Sequence, residues 1–371
     1  MRIVDVKAYP LRLPLRSKHL PASVVPSITP VIVKVSTDEG INGAGEAYGF
    51  ACAPITAKAV EAGLRPILVG KDPLQIHKLW EELYRVTFHY GRAGVMLAAI
   101  GGVEMALWDI AGKARNVPVY QMLGGRSHDK LRAYASLLRY PNPEDVAQAC
   151  AAMKERGYSA IKLHEIDVKA VAAARGAVGD DVDLMLDVNC PWEVSRAIEM
   201  GRQFEQFDPY WYEEPIWPGD NYESLAEVRV AVDIPIAAGE NEYTARGFRN
   251  LLTARAVDFI QPSAFKLGGI LQEKKVFTLA EFFEVKVAPH CWSLGPALAA
   301  TLHISFSEPA CEMVETSPET PEAHILTEPL VPEQGFWKMH EKPGLGIELD
   351  EDVLVKYQMT DGEGEPSFWS K

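Results

Sequence analysis

The sequence predicts a (β/α) barrel with a smaller companion domain, and three observations lead there. Apolar segments in the middle of the chain each end in a polar residue able to do chemistry: His164 (AIKLH), Asp187 (LMLD), Glu213 (YWYE), Glu240 (IPIAAGE), Ser263 (FIQPS), His290 (VKVAPH) and Glu315 (CEMVE). The steps between them are 23, 26, 27, 23, 27 and 25 residues, the length of one strand, one helix and two short loops. At 371 residues the chain is also long for a single core, so one large domain with a companion is expected. Barrel active sites lie at strand C-termini, and this spacing gathers the seven residues on one rim.

Residues 1–50 read as three strands, at 2–9, 31–37 (VIVKVST) and 43–47, punctuated by the turn Asp38-Glu39-Gly40 and by Asn42-Gly43. The stretch 16–30 carries three prolines among mixed polarity and reads as a mobile loop. From about 55 to 123 the pattern is helical. Its clearest piece is AAIGGVEMALWDIAGKAR, where Ile100, Val103, Ala106, Leu107 and Ile110 form an apolar stripe. The glycine pair closing NVPVYQMLGG stops the last of these helices. Alternation of strand and helix begins near 130 with LRAYASL, includes a helix over 143–156 ended by Gly157, and stops near 320. The tail 329–357 carries PGLGIELDED, read as a turn and a short strand packing back on the N-terminal domain. These changes divide the chain into 1–125, 126–325 and 326–371.

Apolar residues at 47% and charged residues at 24% are ordinary for a globular enzyme. A formal charge of −14 argues against nucleic acid or an anionic membrane as partner, while a small anionic substrate stays open because a local metal or lysine reverses the sign inside a pocket. No run approaches eighteen consecutive apolar residues, so no bilayer span is expected, and the alternating start MRIVDVKAYPLRLPL is unlike a signal peptide. Five scattered cysteines (Cys52, Cys150, Cys190, Cys291, Cys311) form no CxxC pair, which fits a reducing cytoplasm better than a disulfide framework or zinc ribbon. Three of them lie near strand ends, where a reactive thiol competes with ordinary buried packing.

Asp187, Glu213 and Glu240 fall on consecutive strand ends and converge. Three such charges repel unless a cation holds them, and hard oxygen donors on a partly open site favour Mg²⁺. The bland alternative is three separate carboxylates capping helices or pairing with lysines. Glu214 is a second candidate for the ligand in the Glu-Glu-Pro run, because strand phase leaves the choice open. Lys162 and His164 are two apart, so both face the same way. An ammonium beside a neutral imidazole keeps it a free base. His290 stands across the barrel on strand seven. A metal with flanking bases suits removal of the weakly acidic proton next to a carboxylate, whose enediolate needs strong charge stabilisation.

These residues resemble the enolase superfamily and, within it, the mandelate racemase-like branch. The resemblance runs along essentially the whole chain: VIVKVSTDEGINGAGEAY and VEMALWDIAGKARNVPVYQMLGG, then DVN, YEEP, GE and FKLGGI, then PGLGIELDED. It implies an α+β capping domain, built from the N-terminal segment and the C-terminal tail, over a modified (β/α)7β barrel. It also implies Mg²⁺, an enediolate mechanism and, by analogy, a homo-oligomer. By position, Asp187, Glu213 and Glu240 match the metal ligands, and Lys162 and His164 match a Lys-x-Lys base motif with histidine in second place. His290 matches the strand-seven base. Glu315 matches the strand-eight electrophilic acid, with Glu312 as the other candidate. Ser263 stands where racemase-like members carry the aspartate partner of that histidine and lactonising members a lysine. A serine cannot stabilise an imidazolium as a carboxylate does, so His290 is expected to be a weaker base, suited to protonating a departing hydroxide. Lys266 lies beyond the matching position and reads as structural.

The favoured function is therefore a dehydratase acting on a hydroxylated or sugar-acid carboxylate. His164 would remove the α-proton, His290 would assist loss of the β-hydroxyl, and Lys162 would neutralise the carboxylate. The histidine roles exchange with substrate configuration. A racemase or epimerase is the alternative, and a catalytically silent binding protein of the same fold is the second. A barrel hydrolase is disfavoured because strand one offers Tyr134-Ala-Ser136 in place of a His-x-His pair. Substrate choice is expected from 16–30 and from Tyr48 to Pro54. Lys18, His19, Tyr48, Asn189, Ser263 and Trp292 are the candidate substrate contacts. Trp192 and Trp292 would narrow the pocket unless they are buried packing.

Overall fold

The computed structural model describes residues 1–16, 21 and 25–360. At the N-terminus, β1 (Ile3–Pro10) alternates buried and accessible residues, as a strand with one covered face must. β2 (Leu13–Pro14) pairs antiparallel with β3 (Ser27–Ile28), so the stretch expected as loop ends in a short ribbon. β4 (Val31–Thr37) lies between β1 and β5 (Asn42–Ala47), antiparallel to both, giving the capping sheet.

Against this sheet lies the helix Val95–Arg115. By length and composition it could cross a membrane, a property the run-length criterion did not register. Its apolarity has another cause: it is covered on two sides, so fifteen of its residues are buried. On the sheet side, a Cβ at Gly43 or Gly45 would stand 2.0 Å from the carbonyl oxygens of Ala106 and Gly102. On the other side, Glu104 accepts the N–H groups of Ile270 and Leu271 at 2.7 and 2.9 Å, capping the barrel helix Ile270–Phe283. The cap is thereby bolted to the barrel just past the sixth barrel strand.

The barrel strands are β6 (Leu131–Ser136), β7 (Ala160–Leu163), β8 (Asp183–Asp187), β9 (Tyr212–Glu213), β10 (Ile236–Ala238), β11 (Phe259–Ile260), β12 (Lys286–Val287) and β13 (Val314–Thr316). Parallel pairing runs from β12 through β11, β10, β9, β8 and β7 to β6, and then to β13. A parallel bridge between Val287 and Cys311 joins β12 to the segment entering β13 and closes the ring. β14 (Phe336–Trp337) adds antiparallel to β6.

The tail departs from its expected form. PGLGIELDED contributes two isolated bridges, Gly344 to Pro118 and Leu349 to Leu326, and then a helix, Glu351–Lys356. Asp350 caps that helix by accepting from the N–H groups of Asp352 and Val353, and two acids occupy its first turn. Beyond it, Met359 N–H reaches the Pro10 carbonyl at 2.7 Å.

Candidate active site

Strand periodicity builds the site. One inward layer fills the barrel with Tyr134, Ala160, Met185, Trp211, Ala237, Phe259, Ala288 and Met313. Two residues further along each strand keeps the same face and reaches Ser136, Lys162, Asp187, Glu213, Gly239, Gln261, His290 and Glu315. All the side chains in this second layer are buried. Gly239 is the exception that places Glu240. Its φ is +135°, and a Cβ there would meet the Phe248 ring at 2.8 Å, so the strand turns and the next residue faces inward.

Asp187, Glu213 and Glu240 each present a carboxylate oxygen, and these oxygens lie within 4.8 Å of one another. Lys162 sits among them, its ammonium 2.9 Å from Glu213 Oε1, 3.1 Å from Glu315 Oε1 and 3.3 Å from Asp187 Oδ2. Burial works against that ammonium, but Glu213 and Glu315 hold it well above the ordinary lysine range. Burial and the Asp187 charge push the Glu213 carboxyl up, with only partial relief from Lys162. Burial would also raise Asp187, yet Lys162 and His164 bring it below the usual carboxylate range. Glu315 accepts the Cys291 N–H at 2.6 Å, and Lys162 and His290 outweigh burial to hold it low.

The imidazoles stand on either flank. His164 Nδ1 bonds the Leu137 carbonyl, and Nε2 lies 3.1 Å from Asp187 Oδ2. A carbonyl only accepts, so Nδ1 carries a proton, and Nε2 is the nitrogen that faces the cluster. His290 Nδ1 is 3.0 Å from the Ser263 hydroxyl, and Nε2 faces Glu240 Oε2 at 3.2 Å and Glu315 Oε2 at 3.8 Å. The ring stacks on Phe265. Burial lowers its pKa, partly offset by Glu240 and Glu315.

Three choices left open by the sequence are closed by geometry. Glu213 faces the cluster, whereas Glu214, at φ +48°, accepts from Asn241 Nδ2 at 2.9 and 3.1 Å and from Cys190 Sγ at 3.6 Å. Burial and the Glu240 charge push Glu214 up to about 8. Glu315 belongs to the inner layer, while Glu312 bonds the Tyr210 hydroxyl and pairs with Lys286 near the opposite strand ends. Burial first of all raises the thiols of Cys190, Cys291 and Cys311, the last to about 12, which removes the reactive-thiolate reading.

Lys266, read as structural, stands directly beside the triad. Its ammonium is 3.1 Å from Glu240 Oε1 and 2.7 Å from Asn241 Oδ1, and it lies 4.8 Å over the Tyr48 ring. Glu240 is brought down to about 2 because His290 and Lys266 outweigh its burial. The signal was the helical offset: three residues after Ser263, the short helix Ala264–Leu267 carries Lys266 back over the rim. Tyr48 enters from the cap, its N–H on the Phe265 carbonyl. Asn189 donates its backbone N–H to Asp187 Oδ1 at 3.0 Å, and Trp292 Nε1 reaches the Ser136 carbonyl at 3.4 Å. Trp192 packs on Phe204 and Tyr212. Lys18 and His19 lie outside the described residues. A groove lined by Asp220, Tyr222, Arg249 and Thr253 runs between two outer helices and shares no residue with this centre.

The donor set fits a hard divalent cation. Four carboxylates face the two ammonium groups of Lys162 and Lys266, two positive charges short of balance. Asp187 Oδ2 is buried and faces into the cluster, 3.3 Å from the Lys162 ammonium and 3.1 Å from His164 Nε2. Oxygen-only ligands in threes match an ion that keeps open positions, as Mg²⁺ does.

A parallel barrel under an antiparallel cap, with carboxylates on three consecutive strand ends, defines an enzyme of the enolase type. Residues 3–124 match the mandelate racemase / muconate lactonizing enzyme N-terminal domain, and residues 144–353 match the enolase C-terminal domain-like family. The chain belongs to the mandelate racemase/muconate lactonizing enzyme family of the enolase superfamily. It is 34% identical to D-galactarolactone cycloisomerase of Agrobacterium fabrum, over 89% of this chain and 92% of that protein. The 3,6-anhydro-D-galactonate cycloisomerase of Zobellia galactanivorans superposes with a TM-score of 0.86 at 31% identity, covering 97% of this chain and 100% of that one. A candidate dehydratase from Salmonella enterica serovar Typhimurium gives a TM-score of 0.87 at 31% identity, covering 97% and 99%. Enzymes of this superfamily typically use Mg²⁺, and the acidic triad is where such an ion would sit.

Proposed function

We propose that this enzyme removes the α-proton of a hydroxylated or sugar-acid carboxylate and expels the β-hydroxyl, giving a 2-keto-3-deoxy acid. The observation that carries this reading is the unlike pair of imidazoles flanking the triad. Held by Asp187, Glu213 and Glu240, a Mg²⁺ ion would act as a Lewis acid, spreading the charge that develops on the substrate carboxylate. Lys162 adds a fixed ammonium beside that charge, already oriented by three carboxylates and so needing no reorganisation.

His164 Nε2 takes the α-proton, since its Nδ1–H is committed to Leu137. His290, as an imidazolium whose Nδ1–H donates to the Ser263 hydroxyl oxygen, delivers its Nε2 proton to the departing oxygen and is left neutral. Glu315 serves as the acceptor that holds both Lys162 and His290 in place. Asn189, Tyr48, Trp292, Lys18 and His19 are proposed to line the substrate.

The two cycloisomerase relatives favour a second reading. A 3,6-anhydro sugar acid carries an ether oxygen on the carbon β to its carboxylate, so the same elimination would expel a tethered oxygen and yield an isomer. A racemase is less well served, because Ser263 offers an imidazolium no carboxylate. Product mass separates the readings: loss of one water marks the dehydratase, whereas an isomeric keto acid marks the cycloisomerase and an isomer without a keto group the racemase. A screen of sugar acids and their lactones with Mg²⁺, read by keto-acid formation, is the first experiment. Incubation in D₂O then tests the base. His164→Asn should wash no deuterium into the α-position, and exchange at the wild-type rate would remove His164 from that role. Assembly as a homo-oligomer and a cytoplasmic location are proposed alongside; light scattering on the purified protein tests the first.

A further inference from the structure

Each of the three converging carboxylates has one of its two oxygens tied by a donor of the protein. Asp187 Oδ1 accepts the Asn189 backbone N–H at 3.0 Å. Glu213 Oε2 accepts Trp211 Nε1–H at 2.8 Å, deep in the barrel. Glu240 Oε1 takes the Lys266 ammonium at 3.1 Å. The other oxygen of each faces the groups of the cluster itself: Glu213 Oε1 accepts Lys162 Nζ at 2.9 Å, Asp187 Oδ2 lies 3.3 Å from that ammonium and 3.1 Å from His164 Nε2, and Glu240 Oε2 lies 3.2 Å from His290 Nε2.

We infer that Trp211 and Lys266 are positioning residues that restrict the triad to three single-oxygen ligands and so make it discriminate Mg²⁺ from Ca²⁺. The inference rests on the triad being the metal site. Ca²⁺ takes six to eight oxygens and gains from carboxylates that bind through both, whereas Mg²⁺ wants six in near-ideal octahedral geometry and keeps several waters. Three tied carboxylates supply half of an octahedron and leave the rest to water or substrate. They cannot supply the extra oxygens Ca²⁺ would use.

The tying groups are themselves fixed. Trp211 is fully buried, edge-on to Tyr134 and packed on Phe259, so its N–H cannot swing away. Lys266 is held at 2.7 Å by Asn241 Oδ1, and the same amide donates to Glu214. That amide orientation satisfies a carboxylate on one side and an ammonium on the other, so the lysine is pinned from behind. The Tyr48 ring covers its remaining face.

Calorimetric titration of metal-stripped protein with MgCl₂ and with CaCl₂, without substrate, tests this in wild type, Trp211→Phe and Lys266→Met. Each variant frees one carboxylate oxygen, so Ca²⁺ affinity relative to Mg²⁺ should rise about tenfold in both. The ratio is the readout because losing the lysine charge strengthens binding of either dication alike. Melting curves in EDTA establish that each variant folds, and either variant alone decides if the other does not. Ratios within twofold of wild type in the folded variants overturn the inference while leaving the metal site standing. Wild type that binds neither ion, or an Asp187→Asn protein that binds both unchanged, instead overturns the metal site itself and the inference with it.

Discussion

Replacing Lys162 with methionine isolates the electrostatics of this centre. The ammonium is fully buried, with carboxylates at 2.9, 3.1 and 3.3 Å, and methionine fills nearly the same volume without the charge. Breaking one buried pair by removing a partner costs about 3–5 kcal/mol, because the charge left behind stays desolvated. Unfolding entropy of about 2.1 cal/mol/K per residue gives roughly 0.8 kcal/mol/K for this chain, so the melting temperature in EDTA should fall by about 4–6 °C at pH 7.5. The pH dependence fixes the cause. Glu240 and Glu315 have folded pKa values below their unfolded ones in wild type, so they contribute stability above about pH 4.5 that is lost only as pH falls through the folded values. Without Lys162 the carboxyls nearest it titrate higher, so acidifying to pH 5 neutralises them and the deficit should shrink. Saturating Mg²⁺ should also recover more stability in the variant than in wild type. Differential scanning fluorimetry across pH, with and without Mg²⁺, measures all three. A variant as stable as wild type in EDTA at pH 7.5, or a deficit independent of pH, would mean that Lys162 does not stabilise the fold by neutralising these carboxylates.

Two further outcomes follow from groups around the centre. Glu46, reached by the Ser293 hydroxyl and the Ala297 N–H, is pushed up to about 7, chiefly by burial. A raised acid favours the protonated folded state, so its contribution is complete below pH 4.5 and disappears as pH rises through 7; Glu46→Gln should therefore gain up to about 3 kcal/mol on wild type between pH 5 and pH 8.5. A melting-temperature difference that stays constant over that range would remove Glu46 as the cause. Glu312→Gln should leave kcat within about twofold, whereas Glu315→Gln should lower it about a hundredfold or more, read by keto-acid formation. Equal losses would show that the two ends of the eighth barrel strand had been confused.

Much of the site was legible because a strand repeats every two residues and a barrel repeats at a nearly fixed interval. Counting along the chain therefore lands Asp187, Glu213, Glu240, His290 and Glu315 in one ring. The Glu213/Glu214 choice was not legible, since β9 holds only two paired residues and phase carries no information over so short a run. Trp211 shares a face with Glu213, but a tryptophan in a barrel reads first as packing, and here it is packing and hydrogen-bond donor together. Lys266 was missed because it follows its strand and returns through a helical turn, a change of period that strand counting cannot register. Tyr48, expected from the resemblance, reaches the rim through the seating of the cap, where its N–H meets the Phe265 carbonyl, a tertiary contact with no local signature. The tail was misread because Asp350 and its acidic neighbours act as a helix start, while the apolar alternation before them looked like a strand.

The asymmetry of the two flanks comes down to what each imidazole leans on. Leu137 offers a carbonyl, which accepts and never donates, so His164 keeps a proton on Nδ1 and exchanges protons at Nε2. Ser263 offers a hydroxyl, which does either, and His290 Nε2 faces two carboxylates, Glu240 and Glu315, where His164 Nε2 faces one, Asp187. A carboxylate at position 263 would stabilise an imidazolium at His290 and make that histidine a stronger base than it is beside a serine. In the proposed reaction, His164 takes a proton on one flank and His290, beside a serine, parts with one on the other. That supports an elimination, in which a proton leaves one carbon and an oxygen leaves its neighbour, over an exchange of configuration at a single carbon.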